Sequence, residues 1–233
     1  MHLELADKKY PIEVVRAAKR TSSVRIRDGR VVLSLSRYLR GRERERTVEK
    51  FLKWARERLE KVDVSDFVEP SYEAGGQVVT HNKIYQINVI EEDRQNVRVK
   101  LEDCDINLYF PREKVEQAKI AKLVKREVMK DQQAYLEDVL DELNQLHFQY
   151  SYRECRFRDV KSRFGSCSNR GVITLAYRML FAPREAFRYV CVHELAHLKE
   201  FNHSRRFWDL VEAAMPNYKD QEKWLKNKGF LLG

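Results

Sequence analysis

Three of the six histidines of this 233-residue chain fall within eleven positions, in the stretch His193-Glu194-Leu195-Ala196-His197-Leu198-Lys199-Glu200-Phe201-Asn202-His203. On a helix, residues four apart project from one face, so His193 and His197 can both turn an imidazole toward a zinc ion at roughly 2.0 to 2.1 Å. Glu194 lies one step around, beside the position such an ion leaves open rather than among its ligands. Metal-assisted hydrolysis requires that arrangement: the ion acidifies a water and polarises a carbonyl, and the neighbouring carboxylate takes the proton and returns it to the leaving amine. H-E-x-x-H is a short motif, and a histidine on a helix is more often a surface or core residue, so the reading turns on a third ligand.

Two residues compete for that place. Glu200 continues the stripe through 193 and 197 if the helix runs on. His203 reaches the ion only if the chain turns near Phe201-Asn202, where asparagine tolerates the left-handed conformation that ends helices. Imidazole suits zinc and the break is signalled, so the spacing favours His203, with Glu200 the alternative. Nearby, Arg163 suits holding a loop or contacting substrate. Tyr177, Arg178 and Tyr189 are candidate donors to an oxyanion, although Tyr189, on the helix, is expected to pack. Cys191 falls almost opposite His193 and is expected in the core, while Cys167 lies in a polar loop and reads as an inert thiol.

The rest of the chain reads as alternating blocks of strand and helix. Strands are expected at 10–17, 23–27 and 31–36, with Asp28-Gly29 supplying a hairpin turn, and a covering helix from Arg42 to Val62. A second block, opened by the loop Val68-Glu69-Pro70, repeats that order: strands at 77–80, 84–90, 96–101 and 106–110, then one long amphipathic helix from about Arg112 to Asn144. Strands at 150–159 and 171–176 follow, joined by the polar stretch 161–170. A helix from Pro183 through about Phe201 and two shorter helices at 206–214 and 219–228 complete the chain. The expected domains are residues 1–67, 68–149 and 150–233.

Composition limits the partners. Hydrophobic residues make up 43%, enough for a core, and no run nears the roughly 18 apolar residues of a membrane-spanning helix. The N-terminus lacks the layout of a signal peptide, so a cytoplasmic location without membrane attachment is expected. The four cysteines form no Cys-x-x-Cys pair, which argues against a disulfide framework and against a thiolate zinc knuckle. The formal charge of +9 is dispersed along the chain, so any nucleic-acid binding should be weak, electrostatic and tolerant of sequence.

Several linked stretches carry a resemblance to a known family: Lys161-Ser162-Arg163-Phe164-Gly165-Ser166-Cys167-Ser168, Gly171-Val172-Ile173-Thr174-Leu175, Tyr189-Val190-Cys191-Val192-His193 onward, Asn202-His203-Ser204 with Phe207-Trp208, and Pro216-Asn217-Tyr218-Lys219 with Trp224-Leu225. In that order they resemble the YgjP-type zinc metallopeptidases, relatives of the WLM and SprT-like peptidases. The match covers about 150–228 for the catalytic part and about 10–62 for the N-terminal block. The family usually has tryptophan where this chain has Phe164. The resemblance implies an α+β chain, strand-rich at its N-terminus and ending in a zincin-like catalytic region with the metal-binding motif on a helix. It implies zinc on His193, His197 and His203, Glu194 as catalytic base, and peptide or protein substrates. An extended substrate is expected along the strand 171–176. The rival reading is a basic nucleic-acid-associated protein whose zinc is structural, which would need a fourth protein ligand. A third combines the two, a peptidase brought to its substrates by nucleic acid.

Overall fold

The computed structural model describes residues 2–5, 8–27, 30–60, 70–112 and 115–232. They divide into two units, Met1–Phe67 with Trp224–Gly233, and Val68–Lys223. The expected turn at Asp28-Gly29, the end of the first helix at 61–62, and Val68-Glu69 lie outside the described residues.

In the first unit, β1 (His2–Leu5), β2 (Lys8–Ala17), β3 (Ser23–Arg27) and β4 (Arg30–Ser36) form a sheet of order β1-β2-β4-β3. β2 and β4 run parallel, and the other two pairings are antiparallel. The period of two along β4 buries Val31, Leu33 and Leu35 on one face. Helix α1 (Gly41–Glu60) covers that face with Ala55 and Leu59, supported by Val48, Phe51 and Leu52. Phe230, from the 3₁₀ turn Gly229–Leu232, packs against the same cluster.

The second unit opens with β5 (Gln77–Val79), β6 (Ile84–Glu92), β7 (Arg98–Glu102) and β8 (Asp105–Pro111) in the order β5-β6-β8-β7. Its pairings repeat those of the first sheet: antiparallel, parallel, antiparallel. Instead of one long helix, α2 (Gln117–Asp131) and α3 (Gln133–Leu143) follow, broken at the buried Gln132. The amide of Gln132 donates to the Tyr85 hydroxyl at 2.5 Å and accepts from Asn82 at 2.9 Å. A buried polar side chain committed to the buried Tyr85 takes precedence over regular helix at that point. A single π turn, Asn144–Phe148, then ends at Gln149 with φ 57°.

The last sheet has three strands, β9 (Glu154–Arg158), β10 (Gly165–Cys167) and β11 (Val172–Ala176), in the order β10-β11-β9. β11 is therefore the central strand, antiparallel to β10 and parallel to β9. That overturns the expectation of an open substrate edge at 171–176, because the edge belongs to β10. The stretch 161–170 read as loop because a Gly-Ser-Cys strand offers no apolar alternation. Helices α4 (Arg184–Ala196), α5 (Arg205–Ala214) and α6 (Tyr218–Lys228) complete an α+β fold with strand-rich sheets first and helices last. α4 seats Phe187 in the core, where its ring meets Phe157, Tyr135 and His81. Cys191 is fully buried, as its place opposite His193 predicts.

Candidate metal centre

α4 stops at Ala196, one turn before the expected end. Past it the backbone tightens: the Leu198 N–H donates to the Leu195 carbonyl at 3.0 Å and the Lys199 N–H to the Ala196 carbonyl at 3.1 Å, both three residues back. No left-handed asparagine makes the turn, since the non-glycine residues with positive φ among those described are Asp103 and Gln149. Asn202 works through its side chain, whose oxygen accepts the Ser204 N–H at 3.1 Å. Ser204 then caps α5 by accepting the Phe207 N–H at 3.4 Å. His203 is thereby fixed in a short link between two helices.

This link brings His203 back over the end of α4. His193, His197 and His203 each offer one ring nitrogen, all within 4.8 Å of one another. The Nε2 atoms of His193 and His203 are 3.1 Å apart. Two imidazoles on one tetrahedral ion at about 2.0–2.1 Å place their donor atoms roughly 3.3 Å apart, so this pair has nearly the spacing of shared ligands. His197 donates its Nδ1–H to the Glu200 carbonyl at 2.9 Å, which leaves the Nε2 lone pair for an ion. Glu200 contributes its backbone carbonyl to this arrangement, not its carboxylate. Beneath the imidazoles lies the fully buried Phe207, its ring centroid 4.5 Å from His197 and 4.8 Å from both His193 and His203. Trp208 flanks His193 and His203.

The electrostatics suit a cation. Burial, reinforced by the two neighbouring imidazoles, holds His193 down to about 3, and burial also lowers His197. Both are neutral near pH 7 with lone pairs to give. Glu194 is 4% exposed, and its Oε2 is buried with no hydrogen-bond partner among the described residues. Burial pushes its carboxyl up to about 8, with the Arg163 guanidinium acting in the opposite sense. Three convergent imidazole donors fit a metal ion, and the residue after His193 carries a buried carboxyl oxygen still open to a hydrogen-bond donor such as water.

β10 runs directly past this carboxylate. A Cβ added at Gly165 would stand 2.5 Å from Oε1 of Glu194. Sequence reasoning gave Gly165 and Phe207 no role of their own. The only signals were a glycine with no turn to make and an aromatic residue in the first turn after His203. The other candidates lie as follows. Arg178 stacks over the Phe164 ring at 4.3 Å and donates to the Arg163 carbonyl at 3.4 Å, tethering the start of β10. Tyr177 is buried, its hydroxyl 3.4 Å from that of Tyr72, and burial pushes it well up. Tyr189 packs with its ring 6.0 Å from His193 and stacked on Tyr218. Cys167 is half-buried, its thiol pushed up to about 11 by burial and by the charge of Glu194, so it is inert as a nucleophile.

Comparison with known proteins gives a family and related solved structures. The model of the YgjP-like metallopeptidase domain matches residues 20–228. The crystal structure of the metallopeptidase zymogen of Pyrococcus abyssi abylysin is 29% identical to this chain over 40% of it and 95% of that protein, with a TM-score of 0.37. No curated protein matches the chain.

Proposed function

The chain belongs to the YgjP-like metallopeptidase family, and on that premise we propose that it is a zinc peptidase with His193, His197 and His203 as ligands and Glu194 as general base. Family membership makes the protein a metal-dependent peptidase acting on peptides or proteins. Among the described residues no helix is long and apolar enough to cross a membrane. The identity of the metal and the role of each residue are this proposal's own. The observation that carries it is the convergence of three imidazole nitrogens within 4.8 Å of one another, at the end of a helix that also carries the buried Glu194 carboxyl, whose Oε2 has no partner among the described residues.

A zinc ion on those nitrogens supplies Lewis acidity, acidifying a water molecule and polarising the scissile carbonyl. The protein's residues do the rest. Glu194 accepts the proton of the attacking water at its free oxygen and delivers it to the leaving amine. Arg163 biases Glu194 toward the ionised form this requires. The Nδ1–H of His197 on the Glu200 carbonyl keeps that imidazole in the metal-binding tautomer.

The edge strand β10 supports a mode of substrate docking. The Ala176 N–H donates to the Phe164 carbonyl at 2.8 Å and the Ser168 N–H to the Val172 carbonyl at 3.0 Å, with Ser166 opposite Thr174 between them. Phe164, Ser166 and Ser168 therefore spend their main-chain groups on β11. By alternation, Gly165 and Cys167 aim theirs at the open edge. An extended peptide adding to that edge gains sequence-independent hydrogen bonds beside Glu194.

Metal analysis tests the ligand set. Wild-type protein and Glu200→Ala should each hold one equivalent of zinc after dialysis, while His203→Ala should lose it. Zinc retained by His203→Ala and lost by Glu200→Ala would overturn the assignment.

A further inference from the structure

We propose that Tyr218 is a positioning residue for the metal: from the start of α6 it closes a circuit of packed aromatic side chains that holds the third ligand, His203, in place before an ion arrives. The inference rests on the ligand assignment above. The three candidate ligands are not held alike. His193 and His197 are half-buried, in and just after the last turn of α4, whereas His203 is exposed and lies on the link between α4 and α5. An exposed side chain on irregular backbone has the most rotamer freedom to lose when it binds an ion. Whatever fixes the His203 ring beforehand therefore raises affinity and slows release.

Two aromatic rings outside the ligand set meet His203. One is the fully buried Phe207; the other is Trp208, whose ring centroid is 5.8 Å from that of His203 with the planes tilted by 30°. Trp208 is only half-buried, so its indole needs a partner of its own to stay in place. Tyr218 supplies it, stacked on Trp208 at 5.4 Å with the planes 20° apart. Tyr218 also stacks on Tyr189 at 6.4 Å and 18°, and Tyr189 meets His193 edge-on at 6.0 Å. His193 returns to His203 at 5.0 Å, which closes the circuit. Every separation lies in the 4.5 to 7 Å range over which aromatic pairs attract. The break at Met215-Pro216-Asn217 fixes where the Tyr218 ring stands: its N–H donates to the Met215 carbonyl at 3.0 Å, tying the first residue of α6 to the end of α5, the helix that carries Trp208. Tyr218 is 7% exposed, and what it presents to Trp208 and Tyr189 is the flat ring. His193 is already fixed by its helix, so the arm through Trp208 to His203 carries the effect.

The test follows release of zinc from the full-length protein into an excess of chromophoric chelator, with the melting temperature of the metal-free protein measured on the same preparations. Tyr218→Phe keeps the ring and should release zinc at the wild-type rate. Tyr218→Leu keeps apolar volume without the flat face and should release it about tenfold faster, the lower end of what supporting residues contribute to a metal site. Cobalt bound in place of zinc should show a shifted visible spectrum in the same variant. Because Tyr218 acts through Trp208, Trp208→Leu should release zinc at least as fast, and adding Tyr218→Leu to it should change the rate little further, a non-additivity that two separate packing contributions would not give. A wild-type rate in Tyr218→Leu, or independent effects of the two substitutions, overturns the proposal. So does a Tyr218→Leu that melts earlier but holds zinc as long as the wild type, which would leave Tyr218 a packing residue only. Trp208→Leu, at a half-buried residue, keeps the test decisive where Tyr218→Leu fails to fold: a wild-type rate there also overturns the proposal. A wild type that takes up no zinc at all overturns the ligand assignment, and this proposal with it.

Discussion

Gly165 lies against Glu194 so closely that a single methyl group has no room: its Cβ would stand 2.5 Å from Oε1 and 2.9 Å from Cγ of the carboxylate side chain. The obstructing atoms belong to a side chain rather than to backbone, so the fold can absorb an alanine by moving Glu194. Gly165→Ala should therefore bind zinc normally and melt close to the wild type, while kcat falls by about tenfold or more with KM little changed, since misplacing a base weakens only the transition state. Steady-state kinetics with metal content on the same sample check this, and an unchanged kcat would contradict the positioning role.

Phe207 supports all three imidazoles from below. Phe207→Leu keeps an apolar residue in the core but loses the flat surface against which the rings are oriented. Zinc affinity should drop by roughly tenfold, the lower end of what supporting residues contribute to metal sites. Competition with a chromophoric chelator measures this, and wild-type affinity in the variant would show that the rings need no such floor.

The metal motif was legible in the sequence because the four-residue spacing of His193 and His197 maps directly onto a helix. The position of His203 was legible in outcome but not in cause. The sequence pointed to a left-handed Asn202, whereas the turn comes from early tightening after Ala196 and from the Asn202 side chain on Ser204. Alternation also located most strands, three of the four in the first sheet and all four in the second. It failed for β1, which is only four residues long, and for β10, whose Gly-Ser-Cys sequence carries no period. The break at Gln132 was invisible for a similar reason: it depends on Tyr85 and Asn82, some fifty residues distant.

His81 gives the fold a defined acid sensitivity. Its ring packs against both Tyr135 and Phe187, its Nε2 is 3.1 Å from the Tyr135 hydroxyl, and burial holds its pKa down to about 4. In the unfolded chain the same imidazole titrates near about 6.5. Between those values the unfolded state binds a proton that the folded state refuses. The stability present above pH 6.5 is therefore lost as pH falls toward 4, by on the order of 3 kcal/mol at most. Thermal melts from pH 7 to 4 should show a shallower decline for His81→Gln than for the wild type. Parallel declines would remove His81 as the cause.

The central claim is that Glu194 acts as a base and not as a ligand or a packing residue. Glutamine at this position preserves size and removes proton affinity. The most direct measurement is zinc content and peptide cleavage on one purified preparation of Glu194→Gln beside the wild type. The account predicts a full equivalent of zinc, a similar melting temperature and a loss of activity of about a hundredfold or more, the typical scale of general-base catalysis. A zinc-loaded Glu194→Gln that cleaves peptides at the wild-type rate would contradict it.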